Sequence, residues 1–497
     1  MARQITWRIL AAIATAVLLG VGGSVPAQAA VSSTSIPNDT YWYDAGGQVM
    51  NVQGGSILKV GAVYYWAGIQ FAGGGSSSFG AVNLYRSTDL VNWTWVKALL
   101  TPQPSGDLAA GRWVGRPDLI FNPTTNQYIL VLEIDGSGSN IGPGNKVGFA
   151  TSSAIDGNYN YLGSTAVNGS TMGDHSVFVE GNNAYLIYSG DTAGSTDVMG
   201  RNASMNIAPL STTWTSVQPA IFTEPNGGHE APFVLKVGSS YHWFTSGTNW
   251  WASTATKHRV STSLTSWPAW SNLATTPASN DSFNTQFDFI LPVQGTSGTS
   301  YIYAGDRYTN FQGQGYPAPT GSGRNAWMPL TFDGDTPTLH GYSDLTINVA
   351  TGDLSGNVSA HARFDNEGPT QTPTGWQEWG NADASYTESG GVTGNRLTFW
   401  ASSAFQTYDY QTLTGLANGT YTLSVQVEGS GTQSSALLVA KNFGSTEVST
   451  SIIAAGSGWT TKSITFTATN GTAEIAIYVN GTAGSWLSAD NVSLIRN

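Results

Sequence analysis

Two carboxylates stand at equivalent places in the chain, each two residues ahead of a hydrophobic strand. Asp174 precedes the strand that begins at Ser176, and Glu230 precedes the one that begins at Pro232. Cleavage of a glycosidic bond needs two such groups, because one must protonate the leaving oxygen while the other acts on the opposite side of the bond. Either residue alone would also fit an ordinary turn. Equivalent placement ahead of consecutive strands favours an acid pair that faces one common space.

A five-fold repeat supplies the elements that would position these acids. The same phrase of apolar residues, a polar turn and an aromatic strand begins at Ser56, Asp118, Ser176, Pro232 and Asp288, so the starts lie 62, 58, 56 and 56 residues apart. A fixed period of this size, carried by hairpins, is typical of a β-propeller with one sheet per blade. We therefore predict an all-β chain with a five-bladed β-propeller, which gathers one loop per blade at the mouth of a central channel.

The first 30 residues predict a secretory signal peptide. Arg3 and Arg8 flank the start of an apolar run at 9–21, and positions 27–29 read Ala-Gln-Ala, a small-residue cleavage site. This apolar run is too short for a stable membrane anchor. We therefore expect a secreted, extracellular protein that does not reside in a membrane.

Composition narrows the class of ligand. The formal net charge of −12 argues against nucleic acid or an anionic membrane surface as a partner. The chain has no cysteine, which excludes disulfides and thiolate zinc sites. With 18 Trp and only 10% charged residues, the sequence suits a neutral, polyhydroxylated ligand whose C–H faces lie on flat rings. We expect no cofactor for catalysis and a monomeric chain.

A change in the sequence pattern near residue 353 predicts a second domain. Beyond it the repeated phrase disappears, and Thr-, Gly- and Ser-rich strands follow to the end of the sequence. This pattern predicts a two-sheet, jelly-roll-like β-sandwich. We divide the chain into a signal peptide at 1–30, a propeller at 31–355 and a β-sandwich at 356–497.

The propeller resembles glycoside hydrolase family 43, a family of five-bladed propellers in secreted polysaccharide degradation. The resemblance rests on Glu230-Ala231-Pro232, which matches the acid motif of that family, and on Asp174, which matches its third-blade Asp. It implies that Glu230 is the proton donor and that Asp174 tunes this acid and positions the substrate. The acid must then stay protonated near neutral pH, which burial and a nearby carboxylate favour.

The general base of the common family pattern is missing. Gly54 stands where most members carry an Asp, so no carboxylate can act from that position. The exo-β-1,3-galactanase branch of the family likewise lacks this Asp, and the strands from Tyr301 (YIYAGDRY) and Arg324 (RNAWMPLTFDGD) also resemble this branch. The resemblance implies that Gln286 places the attacking water. It further implies an inverting exo-hydrolase that releases galactose from β-1,3-galactan, a plant-type polysaccharide.

Two departures from this branch leave the terminal sugar open. Gln53 stands where the branch has a His, and Gly115 stands where it has a Glu that contacts the sugar. A site without that carboxylate binds its substrate differently. An α-L-arabinofuranosidase or β-xylosidase is therefore one alternative, and a non-catalytic, lectin-like propeller is another. The candidates for sugar contact are Gln53, Arg116, Trp250, Trp251 and Trp327.

The sandwich resembles the carbohydrate-binding modules appended to bacterial polysaccharide hydrolases. The resemblance implies one structural calcium, with Asp490 in the last strand as a candidate ligand. A plain accessory domain is the alternative. The aromatic residues that are candidates for a sugar platform on a sheet face are Trp376, Trp379, Trp400 and Tyr408.

Overall fold

A computed structural model of the chain describes residues 33–72, 78–134, 146–168, 171–190, 204–249, 252–308, 324–365, 373 and 375–497. Within these ranges the chain forms eight β-sheets, and a 3₁₀ turn at Ala382–Ala384 is the one helical element. Among the described residues no helix is long and apolar enough to span a membrane. The signal peptide predicted at 1–30 lies outside these ranges and stays a prediction.

Five consecutive sheets form the blades predicted from the repeat. After a short first strand, β1 (Ile36–Pro37), come four antiparallel blades of four strands each. Blade 1 contains β2 (Gln53–Val60), β3 (Val63–Phe71), β4 (Phe79–Ser87) and β5 (Thr94–Leu100), and blade 2 contains β6 (Val114–Asn122), β7 (Gln127–Ile134), β8 (Lys146–Ser152) and β9 (Asn160–Thr165). Blade 3 contains β10 (His175–Glu180), β11 (Asn183–Gly190), β12 (Ser204–Pro209) and β13 (Phe222–Glu224), and blade 4 contains β14 (His229–Val237), β15 (Ser240–Gly247), β16 (Lys257–Ser261) and β17 (Ser271–Asn272).

Blade 5 has a fifth strand. It contains β18 (Ala274–Thr276), β19 (Gln286–Gly295), β20 (Gly298–Arg307), β21 (Arg324–Asp333) and β22 (Thr336–His340), with β18 parallel to β22. The first strands of the blades contact one another in a closed ring, in the order β2, β6, β10, β14, β19 and back to β2. The five-bladed propeller predicted from the period is therefore confirmed.

The backbone conformation of the hairpins explains the polar turn in the repeated phrase. In blades 1, 3 and 4 a two-residue connection joins the first two strands and begins with Gly61, Gly181 or Gly238, whose φ angles are +61°, +61° and +60°. Tight hairpins need this left-handed conformation, which glycine adopts without steric cost. The turns therefore fix the hairpin register that aims each first strand at the channel.

A three-stranded sheet fastens the start of the chain to the end of the propeller. In it β1 pairs with β23 (Asp344–Asn348), which pairs with β24 (Asp353–Asn357). Next to β1, the side chain of Asn38 accepts a hydrogen bond from Trp327 N (2.8 Å) and donates to Trp327 O (2.6 Å). The domain boundary predicted at residue 355 falls inside β24.

Four tryptophans form the centre of the core between blades 1 and 5. Trp327 contacts Trp42, Trp66 and Trp93 with ring centroids 5.3, 5.1 and 6.1 Å apart, mostly edge to face. Such geometry adds to the free energy gained by burying the rings. Trp327 is fully buried, and the edge of Phe289 closes another side of its ring.

The C-terminal part is a sandwich of two five-stranded sheets, as the sequence predicted. One sheet contains, in spatial order, β25 (Gln377–Gly380), β28 (Phe405–Thr414), β33 (Thr472–Gly481), β30 (Ser435–Lys441) and β31 (Val448–Ser451). The other contains β26 (Ser385–Ser389), β27 (Asn395–Trp400), β34 (Trp486–Arg496), β29 (Gly419–Ser430) and β32 (Ala455–Ala468). Trp376, a candidate for the sheet face, is instead buried in the core between the sheets and donates to Ala360 O.

Buried polar side chains join the propeller to the sandwich. At the end of β24, the amide of Asn357 donates to Val492 O and accepts from Leu494 N, both at 2.9 Å. On the other side of the junction, Thr414 N donates to the hydroxyl of Thr276 at 2.8 Å. Asn357 and Thr276 are buried, so a partner that loses either side chain finds no water to replace it readily.

We predict that Asn357→Ala destabilises the whole chain. The substitution removes the acceptor of Leu494 N and one of the two donors to Val492 O, which keeps the Ser359 hydroxyl at 3.3 Å. A buried unsatisfied group costs about 1–3 kcal/mol. The measurement is the free energy of unfolding in urea. Asn348→Ala is the matched control, because Asn348 caps an exposed turn of the β23–β24 hairpin. A loss no larger than that of the control would contradict this account of the junction.

Candidate functional site

The first strands of four blades share one irregularity. Each has a shift of register near its start, and the shifts lie between Gln53 and Ser56, Gly115 and Asp118, Glu230 and Phe233, and Phe287 and Phe289. Such bulges bend a strand and re-aim its side chains. Within them Gly54, Arg116 and Ala231 have positive φ angles of +56°, +40° and +50°. Strain at non-glycine residues such as Arg116 and Ala231 is typical of functional sites.

Arg116 lies at the bottom of the candidate site and bridges two blades. Its Nε is 2.9 Å from Asp174 Oδ1, and its Nη1 is 3.0 Å from Asp288 Oδ1. The other oxygen of Asp174 accepts the backbone N–H of Ala231 at 2.9 Å. Asp174 is thus held from both sides, by a cation and by the residue that follows Glu230.

Two further carboxylates hold the glycine segment of blade 1. Asp306 Oδ2 accepts the N–H of Gly54 at 2.8 Å, and Asp288 Oδ2 accepts the N–H of Gly55 at 3.2 Å. Tyr308 also donates its hydroxyl to Asp306, at 3.1 Å. A side chain at position 54 would approach Arg116 Cγ and the Tyr308 hydroxyl, at 3.6 and 3.8 Å from its Cβ. The backbone of Gly54 is therefore fixed, while the residue brings no acid of its own.

Glu230 and Gln286 approach each other from the neighbouring blades 4 and 5. Gln286 is the first residue of β19, and its Nε2 lies 3.5 Å from Glu230 Oε2, at the limit of a hydrogen bond. The structure therefore brings together Asp174, Glu230 and Gln286, the three residues predicted to act in the reaction. They come from blades 3, 4 and 5, as the spacing of the repeat predicted.

The surroundings of Glu230 favour its protonated form. Loss of hydration in the channel is the main cause that raises its pKa well above the ordinary range, and the negative charges of Asp174 and Glu133 raise it further. The charge of Arg116 acts in the opposite direction without cancelling these effects. A carboxylic acid that keeps its proton near neutral pH can serve as a general acid.

Glu133 is a residue of the site that the sequence did not reveal. It lies on β7 directly opposite Gly115 and is buried. A Cβ at position 115 would lie 2.9 Å from Glu133 Oε2 and 2.9 Å from the indole nitrogen of Trp113. Glycine at 115 therefore makes room for the Glu133 carboxylate. The site has an acid beside position 115, although it comes from the neighbouring strand.

The predicted sugar contacts have different outcomes. Trp250 and Trp251 lie outside the described residues. The prediction for Trp327 is wrong, because this indole is fully buried among other aromatic rings and offers no face to a ligand. Gln53 is also fully enclosed, which contradicts a direct sugar contact. Arg116 points into the site, but its Nε and Nη1 are engaged by carboxylates, so its contact with a sugar stays a prediction.

The geometry gives no support to the calcium predicted at Asp490. This side chain is fully buried, and its two oxygens accept the backbone N–H groups of Val392 (2.7 Å) and Asn491 (2.6 Å). Burial raises the pKa of Asp490 to about 7. Within the described ranges no three His, Cys, Asp or Glu side chains are grouped as a metal site would need. Calcium binding stays a prediction.

A known protein family matches the part of the chain that ends at the candidate acid. Residues 51–230 match the model of glycosyl hydrolases family 43, and the matched segment ends at Glu230. No curated protein matches the chain. The resemblance to this family that the acid motif indicated is therefore confirmed.

Solved structures share the fold over nearly the whole chain. The exo-β-1,3-galactanase of Phanerochaete chrysosporium, in complex with galactose, is 24% identical, with 93% of this chain and 100% of that chain covered and a TM-score of 0.59. A variant of that enzyme in complex with β-1,3-galactotriose is 23% identical, with the same coverage and a TM-score of 0.60. The exo-β-1,3-galactanase of Clostridium thermocellum is 20% identical, with 94% and 100% covered and a TM-score of 0.60. At these identities the similarity shows the fold alone.

We predict that Glu133→Gln moves the alkaline limb of the pH–activity profile to lower pH. A raised pKa keeps Glu230 protonated as the pH rises, and activity is lost when the pH passes that pKa. Removal of the Glu133 charge lowers the pKa of Glu230, so the loss comes earlier. The measurement is kcat/KM against pH. At the optimum we expect a loss below about tenfold, against the 10²–10⁴-fold typical of a removed general acid, as in Glu230→Gln.

The control for this experiment is Glu180→Gln, which removes an equal charge from the exposed ion pair between Glu180 of blade 3 and Lys236 of blade 4. Its alkaline limb should not move. An unshifted limb in Glu133→Gln would show that the Glu133 charge does not reach the acid.

Proposed function

We propose that this chain, whose residues 51–230 match glycosyl hydrolases family 43, is a secreted exo-acting hydrolase that releases galactose from β-1,3-galactan. The observation that carries the proposal is the cluster of Glu230, Asp174 and Gln286 beside a glycine, Gly54, that brings no carboxylate. Solved structures of similar fold include exo-β-1,3-galactanases in complex with galactose and β-1,3-galactotriose, which supports this choice of substrate.

In the proposed reaction Glu230 gives its proton to the glycosidic oxygen as the bond to C1 breaks. A water molecule attacks C1 from the opposite face of the sugar, so that the configuration inverts. The proton that this water loses passes to solvent, and Glu230 regains a proton from solvent when the product leaves. Asp174 holds the pKa of Glu230 high and, through its bond to Ala231 N, fixes the strand on which the acid lies. Gln286 places the water, because its side-chain carbonyl is an acceptor that a neutral water can donate to. Its Nε2 lies 3.5 Å from Glu230 Oε2, so this role requires the two side chains to separate to about 6.5–9.5 Å when a sugar enters between them.

The absence of a carboxylate at Gly115 is the reason to keep a second candidate function. The carboxylate beside this residue comes from Glu133 on the adjacent strand and is buried, so position 115 itself offers no acid to a sugar hydroxyl. An α-L-arabinofuranosidase or β-xylosidase on the same fold is the alternative. A binding protein without activity is the alternative of a different class.

We predict that the purified mature chain releases galactose from β-1,3-galactooligosaccharides. Parallel incubations with aryl α-L-arabinofuranoside and aryl β-xyloside should release nothing, because the site is proposed to fit a terminal galactose. The measurement is chromatography of the released monosaccharide. Arabinose or xylose in place of galactose would move the function to the second candidate. No product from any substrate, together with retained sugar binding, would favour the binding protein.

We predict that Gln286→Ala lowers kcat by about 10²–10⁴-fold, the range typical of a lost proton-handling group. Gln286→Glu should cost far less, because a carboxylate can hold and deprotonate the same water. The measurement is steady-state kinetics of galactose release. Gln294→Ala is the matched control, since Gln294 is an exposed residue near the other end of β19. Equal and mild losses in both Gln286 variants would remove it from the reaction.

A further inference from the structure

One face of the sandwich carries a line of aromatic side chains that the proposed reaction does not use. Trp379 on β25 pairs with Tyr408 on β28, which pairs with Tyr478 on β33. Directly paired residues lie on the same face, and adjacent strands are about 4.8 Å apart. The three side chains therefore form a row about 10 Å long across the sheet. We call these three residues the aromatic row.

The aromatic row lies on the outer side of its sheet. Along β28, Phe405, Thr407 and Asp409 are buried toward the sandwich core, while the alternating residues Gln406 and Tyr408 are partly exposed. Trp379, at the edge strand, is 61% exposed. A single exposed indole is common, but an exposed indole that continues into two further aromatic side chains forms a patch of the kind that marks binding surfaces.

Polar groups on either side of the row are held in place before any ligand arrives. The Tyr408 hydroxyl donates to Glu474 Oε1 at 2.7 Å, and Lys441 Nζ lies 2.9 Å from the same oxygen. Gln406 donates its amide to the hydroxyl of Tyr478. Fixed donors and acceptors lose little conformational entropy on binding. Such groups beside a flat ring are suited to sugar hydroxyls.

The division of roles within the row follows from these contacts. Lys441 Nζ lies 4.6 Å from the centre of the Tyr408 ring and covers that side of it. Tyr410 packs against the same ring, with centroids 5.4 Å apart. Trp379 is the most exposed ring of the row, so we assign to it the stacking against the C–H face of a sugar and to the two tyrosines the hydroxyl contacts. Because Lys441 and Glu474 neutralise each other, the surface suits an uncharged ligand.

We propose that the aromatic row is a carbohydrate-binding site for an uncharged glycan chain, separate from the propeller channel. A sugar ring stacks on Trp379, and the next units along the chain bond to Gln406 and to the hydroxyls of Tyr408 and Tyr478. An open sheet face has no end wall, so the site takes an internal stretch of the chain rather than its terminus. Binding here does not depend on the proposed hydrolysis.

The other exposed indole of the sandwich gives a matched control. Trp400 is 44% exposed, and it lies on the opposite sheet, where it pairs with Trp486. Trp400→Ala thus removes the same side chain from a comparably exposed strand position outside the aromatic row. It separates a specific site from a general effect of surface tryptophan.

The test is affinity gel electrophoresis of the full chain in gels that contain β-1,3-galactan, with linear arabinan and xylan as comparison polymers. The Glu230→Gln background keeps the polymer intact during the run. We expect β-1,3-galactan to retard the chain, Trp379→Ala to weaken the retardation at least tenfold in apparent Kd, and Gln406→Ala to weaken it less. Trp400→Ala should migrate as its parent does.

Equal retardation of the parent and Trp379→Ala would overturn the proposal, as would loss in Trp400→Ala alone. So would the absence of retardation by all three polymers. Galactose release from a disaccharide by Trp379→Ala, in a chain with Glu230 intact, should match the wild type, because the row is not in the channel. If no sugar is released but retardation depends on Trp379, the proposed hydrolysis fails and the binding site stands.

Discussion

The guanidinium of Arg116 is the interaction on which the channel depends. It reaches from blade 2 to Asp174 of blade 3 and to Asp288 of blade 5, and Asp288 in turn holds the backbone of Gly55 in blade 1. A buried cation or carboxylate without its partner is strongly unfavourable. The blades are therefore held in one relative arrangement by charge as well as by the ring of strand contacts. Glu230 depends on this arrangement, because the residue after it is bonded to Asp174.

The features that could be predicted from the sequence are the local ones. A hairpin is encoded by neighbouring residues, so its repetition predicts the five blades, and the place of an acid relative to its hairpin predicts Asp174 and Glu230. Gln286 is assigned from the resemblance to the galactanase branch. The features that could not be predicted from the sequence depend on the pairing between strands. Glu133 belongs to the site because β7 brings it opposite Gly115, and the signal that could have found it was the register of that hairpin. The predicted sugar contact of Trp327 is wrong because the burial of this residue depends on tryptophans from blade 1 and the N-terminal segment.

In the sandwich, too, the types of the residues could be read from the sequence but their positions in the fold could not. Its sequence is rich in aromatic residues, and their type alone made Trp376, Trp379, Trp400 and Tyr408 equivalent candidates. The structure separates them: Trp376 packs in the core, Trp400 lies on one sheet, and Trp379 and Tyr408 are paired on the other. Alternation along β28 could have predicted which residues share a face with Tyr408. The neighbour across the sheet could not be predicted, because β25 and β28 are separated by two strands of the opposite sheet.

The shared bulge in the first strands has a consequence for how such a propeller can diverge. Arg116, Glu230 and Asp288 lie at these bulges, whereas the regular ladder beyond each bulge holds the blade together. An exchange at one bulge can therefore change the chemistry of the channel without altering the pairing of the strands behind it. Gly54 and Gly115 are two positions of this kind. The pairing of the strands and the chemistry of the channel can thus change independently of each other during evolution, one blade at a time.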